Sequence, residues 1–218
     1  GLGDVYKRQL FTHKCKYGRL PRHVRLCLEW WTQVMRLEIS QLRKWSESER
    51  SVVQLFVDAR GTPPRLGAVI AVDNRGFYSD MEPSEDVLKN FRKRNDSQIM
   101  GLELLAIAFG LSSFLEMCAG RTVRVWSDNV GAESCARRGS AKSFDHNCIV
   151  HCIWLFAAKY GINLRIDRVP TKDNISDLPS REEYGLLEHA HIKPHKPHLC
   201  AEFLRPEAWK SLRLTSRV

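Results

Sequence analysis

Four acidic residues lie where carboxylates could do chemistry together, at the ends of apolar strand-like segments or inside an apolar helix. They are Asp58 in VVQLFVDAR, Glu103 in QIMGLELLAIAFGL, Asp128 in VRVWSDN and Asp177 in RVPTKDNISDLPSR. A buried or half-buried carboxylate is costly unless a cation compensates for its lost hydration. The expected compensating cation is a metal ion.

The kind of metal follows from the ligands, because carboxylate oxygens are hard ligands that suit Mg²⁺ or Mn²⁺. Two such ions, roughly 3.5–4 Å apart, hold both the attacking and the leaving oxygen of a phosphodiester. Each acid taken alone is also compatible with a turn, a helix cap or a surface charge. Glu103 is the hardest to explain in those ways, because it lies in an apolar helix with no basic residue nearby in sequence.

The strands that must position these acids are predicted from composition and turns. SVVQLFVDA, LGAVIAVD and GFYSD are separated by turn residues and predict an antiparallel meander. Residues 82–96 are charged and predict a loop, whereas TVRVWSD and INLRIDRVP predict two later strands, each preceded by helical sequence. Strands separated by helices need parallel crossovers, so the predicted fold class is α/β, with a five-stranded mixed sheet flanked by helices.

The helices are predicted from apolar patterns and capping residues. QIMGLELLAIAFGLSSFLEMC is apolar nearly all round and predicts a buried helix, which Asp96 or Ser97 could begin and Gly120 could end. NVGAESCARRG predicts a short helix that ends at Gly139. The next helix, HNCIVHCIWLFAAKY, could be capped by Asp145.

The order of elements predicts where the acids meet. Asp58 should end the first strand and Asp128 the fourth, so parallel neighbours would bring both to one edge of the sheet. Glu103 lies early in the buried helix, from which its side chain could reach the same edge. Asp177 is expected at the start of a short helix near 175–184, where the helix N-terminus or a metal would stabilise its carboxylate.

The four motifs resemble the ribonuclease H domain of retroelement reverse transcriptases. That family orders its acids as Asp in the first strand, Glu in the first helix, Asp after the fourth strand and Asp after the fifth, and FVDAR, LELLAI, WSDN and DNISDLPSR follow that order. The last motif is most similar to retrotransposon and pararetrovirus versions, and its matching positions are Asn174, Asp177, Ser180 and Arg181. The resemblance spans about residues 51–182 and implies a ribonuclease H-like fold.

The resemblance also implies an activity and a context. It implies cleavage of the RNA strand of an RNA–DNA hybrid with two Mg²⁺ ions, or Mn²⁺, held by Asp58, Glu103, Asp128 and Asp177. It further implies an upstream reverse transcriptase in the same polyprotein, from a DIRS-like or related retroelement. The chain departs from many relatives in one respect, because its loop before the last acid, PTKD, contains no His.

Candidate contacts to a hybrid are backbone atoms and basic side chains around the acids. A hybrid presents 2′-hydroxyls in a wide, shallow minor groove, and its phosphates attract lysine and arginine. A solvated basic face explains any one of the basic residues about equally well. The candidate nucleic-acid-binding residues are Arg60, Gly61, Arg65, Asn129, Arg137, Arg138, Lys142, Lys172, Asn174 and Arg181.

Composition and charge restrict the class of protein. The chain has 218 residues, of which 43% are hydrophobic, a net charge of +9 and seven cysteines. The positive charge favours a polyanionic partner such as nucleic acid. No run of 18 apolar residues and no signal peptide is visible, so we expect an intracellular protein with reduced thiols and no membrane partner.

Four segments are predicted along the chain. Residues 1–9 are expected to be a sequencing-adapter artefact, and residues 10–50 a helical connection from an upstream polymerase. The ribonuclease H-like domain is predicted over residues 51–184. Residues 185–218 are predicted to be a tail with a short helix from Pro206.

Three alternatives stay open. A binding or scaffold module could share the fold without catalysis, although the full set of acids argues against it. Another nuclease of the same superfamily, such as an integrase or an exonuclease, would space its acids differently. Zinc ligands are also present, although packing and an extended tail are the favoured interpretations: His146, Cys148, His151 and Cys152 in one helix, and His189, His191, His195, His198 and Cys200 in the tail.

Overall fold

The computed structural model describes residues 52–91 and 98–200, together with isolated positions between 24 and 36. Contacts divide the chain into two compact units, Gly1–Ser40 with Ser211–Val218 and Gln41–Lys210. The sheet, the four acids and most of the described residues belong to the second unit.

In the first unit the described positions are helical. Thr32 Oγ1, for example, donates a hydrogen bond to Leu28 O at 2.8 Å, one helical turn earlier. The rest of the predicted connection over residues 10–50, and the predicted helix from Pro206, lie outside the described residues.

The second unit contains a six-stranded mixed sheet with the strand order β5-β4-β1-β2-β3-β6. β1, β2 and β3 form the predicted antiparallel meander, and β1 pairs with β4, and β4 with β5, in parallel. The predicted α/β class is thus confirmed, and a two-residue strand, β6, extends the sheet beside β3. The strands are β1 Val53–Gly61, β2 Pro64–Val72, β3 Arg75–Met81, β4 Thr122–Ser127, β5 Asn163–Arg168 and β6 Lys193–Pro194.

Helices cover both faces of the sheet. The helices are α1 Glu85–Leu88, α2 Ile99–Ser113, α3 Leu115–Cys118, α4 Val130–Arg138, α5 Phe144–Lys159, α6 Asp177–Ser180 and α7 Gly185–His189, with a 3₁₀ turn at Thr171–Asp173. α2 packs against β1 and β2 on one side and against α4 and α5 on the other. It is buried as its all-round apolar sequence predicts, from Gly101 to Ser113.

The opposite face is covered at β2 and β3 by the segment that follows β5. Val69, Tyr78 and Leu187 form a buried cluster there. Phe56, Ile175, Leu178, Tyr184 and Ile192 pack around that cluster. α6 and α7 are therefore held against the sheet by apolar contacts, which fixes the part of the chain that carries Asp177.

Several helix boundaries differ from the predicted ones. The backbone breaks at Phe114, so Gly120, at φ 68°, follows the short α3 and does not end α2. Asp145 does not cap α5, because α5 begins at Phe144 after Ser143 and Asp145 is buried in its first turn. Gly139 ends α4 in the left-handed conformation, as predicted.

The region between β3 and α2 contains a short helix. α1 occupies residues within the predicted loop at 82–96, and the predicted caps Asp96 and Ser97 lie outside the described residues. Gln98, at φ 61°, is the residue that precedes α2. Within the described chain, no helix combines the length and hydropathy that crossing a bilayer requires.

Candidate metal centre

Three of the four predicted acids converge on one point. Asp58 from β1, Glu103 from α2 and Asp128 from the end of β4 each offer a carboxylate oxygen, and these oxygens lie within 4.8 Å of one another. Of the residues at 52–91 and 98–200, no other set of three or more acidic, His or Cys side chains meets in this way.

Asp58 and Asp128 lie where the neighbouring strands β1 and β4 cease to pair. The parallel pairing of β1 with β4 runs from Val53 to Phe56, and β4 ends at Ser127, immediately before Asp128. Asp58 does not end its strand as predicted, because β1 continues to Gly61 in antiparallel pairing with β2. Asp58 instead lies just beyond the point where β1 and β4 part, which leaves room for both side chains.

Glu103 is the most deeply placed acid of the three. Its side chain is 4% exposed, and Oε2 is buried with no hydrogen-bond partner in the described part of the chain. Burial, helped by the charges of Asp58 and Asp128 and opposed by a hydrogen bond from the Ala59 backbone, raises the pKa of Glu103 to about 9. Nothing among the described residues supplies the positive charge that an ionised Glu103 would need.

A divalent cation fits this arrangement. The donors are all carboxylate oxygens, which suit hard cations. The buried Glu103 Oε2 accepts no hydrogen bond in the described residues and could therefore accept a cation. A cation at the centre of the cluster would compensate for the burial of the acids and their mutual repulsion. The observed geometry is therefore compatible with divalent metal binding through Asp58, Glu103 and Asp128.

Asp177, the fourth predicted ligand, is not part of this group. Its Oδ1 accepts a hydrogen bond from Arg181 Nε at 2.7 Å, one turn later in the chain. Its charge nevertheless contributes to raising the pKa of both Asp58 and Glu103, so it lies within electrostatic reach of the cluster. The structure thus brings three acids together and places the fourth nearby, in an ion pair.

Asp58 is held by a residue from the same segment as Asp177. Ser180 Oγ donates a hydrogen bond to Asp58 Oδ2 at 2.5 Å. Burial raises the pKa of Asp58, and this hydrogen bond opposes that shift. Ser180 matched the family motif, but the sequence alone predicted no contact for it, because 122 residues separate it from Asp58.

Two of the predicted nucleic-acid contacts have structural roles here. Asn174 is buried, donates to Val57 O at 3.1 Å and accepts from Ser176 Oγ at 2.6 Å. Asn129 caps α4 by accepting a hydrogen bond from the Ala132 N–H at 3.0 Å. The side chain of Asn174 is thus hydrogen-bonded within the protein, and its contact with nucleic acid stays a prediction.

The predicted basic contacts divide into paired and exposed groups. Arg60 forms an ion pair with Glu182 at 3.0 Å, Arg137 pairs with Glu133 at 3.2 Å, and Arg181 pairs with Asp177. Arg65 bridges Glu182 and Asp80, and Arg138 bonds to Ser140. Lys142 and Lys172 are exposed, and Gly61 is the last residue of β1.

Gly67 is a residue that the sequence interpretation missed. A Cβ atom there would lie 2.6 Å from Ser180 N and 2.7 Å from Ser176 O, so only glycine lets α6 approach β2 this closely. The signal was present, because an isolated glycine within the apolar strand LGAVIAV often marks a close backbone approach.

Comparisons with known proteins give fold-level similarities only. No protein-family model matches the sequence, and no curated protein matches it. One similar solved structure is the N-terminal RNase H domain of a Mycobacterium tuberculosis protein, fused to maltose binding protein, with 18% identity, a TM-score of 0.44, and 64% of this chain and 99% of that chain covered. Another is RNase H1 from the halophilic archaeon Halobacterium salinarum, with 15% identity, a TM-score of 0.44, and coverage of 61% and 97%.

Proposed function

We propose that this chain is a metal-dependent nuclease that hydrolyses the RNA strand of RNA–DNA hybrids. The observation that carries the proposal is the convergence of Asp58, Glu103 and Asp128, whose oxygens lie within 4.8 Å of one another. The order of the acids along the chain and the basic composition support it further.

The residues of the site have distinct tasks in this proposal. Asp58, Glu103 and Asp128 would hold the divalent cations, and the carboxyl group of Glu103 would lose its proton when a cation is bound. Bound Mg²⁺ or Mn²⁺ would supply an activated water and stabilise the charge on the departing oxygen. Asp177 adds negative charge from its position beside Arg181 and is the proposed further ligand.

The proposed substrate is a polyanion with 2′-hydroxyls on one strand. Exposed Lys142 and Lys172, with Arg181, are proposed to contact phosphates near the acids, together with backbone atoms at Gly61 and Asn129. Arg60, Arg137 and Arg138 would contribute only if their present partners gave way to phosphate.

The proposed context is a retroelement polyprotein. DNISDLPSR is most similar to the retrotransposon and pararetrovirus versions of the last motif, in which the acid is followed by Ser-Arg. An upstream reverse transcriptase, joined through residues 10–50, is therefore the proposed partner domain. Sequencing the source transcript upstream of this region tests that part, and an unrelated upstream coding sequence would contradict it.

The activity is tested with a hybrid labelled on both strands, with Mg²⁺ or with a chelator. We expect metal-dependent loss of the RNA strand only. Asp128→Asn should reduce cleavage to background, because it removes a carboxylate of the cluster. Asp177→Asn should reduce cleavage by at least about 10-fold, because it removes the proposed further ligand and leaves the three clustered acids in place.

A matched control is Asp86→Asn in α1, which removes an exposed carboxylate that forms an ion pair with Lys89, far from the cluster in sequence. It should cleave like the wild type. Intact RNA with measurable hybrid binding would overturn the proposal in favour of an inactive tether. Preferential cleavage of duplex DNA would instead favour another nuclease of the superfamily.

A further inference from the structure

The buried hydroxyl of Ser180 contacts the candidate metal centre but is not one of its carboxylates. Ser180 is 0% exposed, and its Oγ lies 2.5 Å from Asp58 Oδ2 and 3.0 Å from Asp177 O. A hydroxyl carries one proton. The shorter separation assigns that proton to the Asp58 carboxylate.

This hydrogen bond limits how Asp58 can be oriented. A carboxylate at the end of an aspartate side chain rotates broadly about its last bond. With one oxygen held by Ser180, the plane of the carboxylate is fixed relative to Glu103 and Asp128. Metal ligands in proteins depend on such outer hydrogen bonds for their orientation.

The backbone is arranged to bring Ser180 to this position. Asp58 pairs with Gly67 across β1 and β2, and the backbone of α6 and of Ser176 before it approaches β2 closely at Gly67. On the other side of the strand, Asn174 Nδ2 donates to Val57 O at 3.1 Å. The segment from Asn174 to Ser180 therefore contacts β1 at Val57, the residue before Asp58. It also contacts β2 at Gly67, the residue that pairs with Asp58.

Beyond α6 the chain is anchored a second time. Glu182, at φ 64°, accepts from Arg60 at 3.0 Å and from Arg65 at 2.8 Å. Arg60 and Arg65 face each other across the β1–β2 hairpin. Ser180 is thus held between two anchors, Asn174 and Glu182, that both attach to the strand of Asp58.

We propose that Ser180 is a positioning residue, which orients Asp58 for divalent cation binding. The proposal rests on the proposed function in so far as the three acids bind a cation. Its consequence is that cation affinity depends on a hydroxyl that is not itself a ligand. The family resemblance assigned Ser180 only as a match to a motif.

The test is the affinity of the full chain for Mg²⁺ and Mn²⁺, measured by titration calorimetry in the absence of nucleic acid. Ser180→Ala should weaken binding by about 10- to 100-fold, the range seen when an outer hydrogen bond to a ligand is removed. Ser180→Cys keeps a weak donor of similar size, so its cation affinity should lie between those of the wild type and Ser180→Ala. This variant also provides a readout if Ser180→Ala does not fold.

The matched control is Ser112→Ala. Ser112 is also a buried serine, but its Oγ donates only to Ala108 O, at 2.8 Å, within α2. Its cation affinity should stay within twofold of the wild type. A purely structural role for Ser180 would lower the unfolding midpoints of Ser180→Ala and Ser180→Cys and leave their cation affinities unchanged.

The outcomes separate this inference from the proposed function. Equal cation affinities for the wild type, Ser180→Ala and Ser180→Cys would overturn the role of Ser180 alone. Cation binding that depends on Ser180, without any hybrid cleavage, would support the role of Ser180 and overturn the proposed activity. A wild-type chain that binds neither Mg²⁺ nor Mn²⁺ would overturn both.

Discussion

The side chain of Glu103 determines how the site responds to protons and cations. It is buried in α2, and Oε2 has no hydrogen-bond partner in the described residues. Burial raises its pKa from the ordinary 4.5 to about 9. At neutral pH and without a cation, Glu103 is therefore protonated, whereas cation binding requires its carboxylate and must release the proton.

This behaviour gives a pH dependence with a definite sign. The unfolded chain loses the Glu103 proton near pH 4.5, but the folded chain keeps it until about pH 9. The stabilisation from the bound proton is thus complete below pH 4.5 and is lost as the pH rises to about 9. In chelator, the free energy of unfolding should fall with pH by up to about 1.4 kcal/mol per unit more in the wild type than in Glu103→Gln.

Urea denaturation from pH 5 to 9 measures the difference. With Mg²⁺ the comparison should reverse. The increase in the free energy of unfolding that Mg²⁺ gives should grow with pH in the wild type and be absent in Glu103→Gln. Other groups titrate equally in both proteins, so the variant serves as the baseline. Parallel pH profiles for the two proteins in chelator would contradict the assignment of the buried proton to Glu103.

Among the elements, the contact between α6 and β2 is the one that connects packing to the site. α6 has only four residues and cannot be stable by itself. Its position comes from the apolar cluster of Val69, Tyr78 and Leu187 and from the bare backbone of Gly67. A change in that contact should therefore be felt at Asp58.

Gly67→Ala tests that connection. The new methyl group would lie 2.6 Å from Ser180 N and 2.7 Å from Ser176 O, and these backbone atoms cannot move aside as a flexible side chain could. We expect a loss of about 1–3 kcal/mol in the free energy of unfolding. Cation affinity should also fall, because displacement of α6 moves Ser180 away from Asp58.

Gly185→Ala is the matched control, because a Cβ at Gly185 meets nothing within 4 Å and the residue begins α7. It should be neutral or slightly stabilising, since alanine favours a helix over glycine by up to about 1 kcal/mol. Urea denaturation and calorimetric titration of both variants give the comparison. Equal stability of the two alanine variants would show that α6 can shift without cost.

The sequence predicted the elements better than it predicted the contacts between them. The meander, the buried helix and the parallel strands follow from local patterns, and the three acids meet because the order of strands and helices forces them to. The Asp177–Arg181 pair, the buried state of Asn174 and the extension of β1 past Asp58 were not predicted. The burial of Asn174 and the length of β1 depend on contacts with other segments, such as the one between Asn174 and Val57, that leave no periodic signal. The Asp177–Arg181 pair is instead local, with the i,i+4 spacing of neighbours on a helix, so the sequence did contain a signal for it.

The chain that follows α6 connects the edge of the sheet to the end of α2. β6 pairs with β3, and His195 N donates to Tyr78 O at 2.7 Å. Ser113 exchanges two hydrogen bonds with the backbone of His198, which attaches the same segment to the end of α2. The segment from α7 to residue 200 thus covers the edge of β3 and contacts both layers of the fold.

If this segment belongs to the cooperative unit, a core change within it should destabilise the entire domain. Leu187 in α7 is 0% exposed and its neighbour Leu186 is 68% exposed, so the two offer a matched pair. Leu187→Ala should lower the free energy of unfolding by about 2–5 kcal/mol, because it leaves a cavity between α7 and the sheet. Leu186→Ala should change it by less than about 0.5 kcal/mol.

Fluorescence and circular dichroism should report the same shifted midpoint for Leu187→Ala, since loss of the cluster around Val69 and Tyr78 loosens the sheet and α6 together. Two separate transitions, with the sheet unfolding as in the wild type, would contradict a single cooperative unit. In that case residues 185–200 would be an appended tail that docks on a domain ending near residue 184. A single transition would instead mean that the metal centre depends, through α6, on packing that is completed only by this last segment.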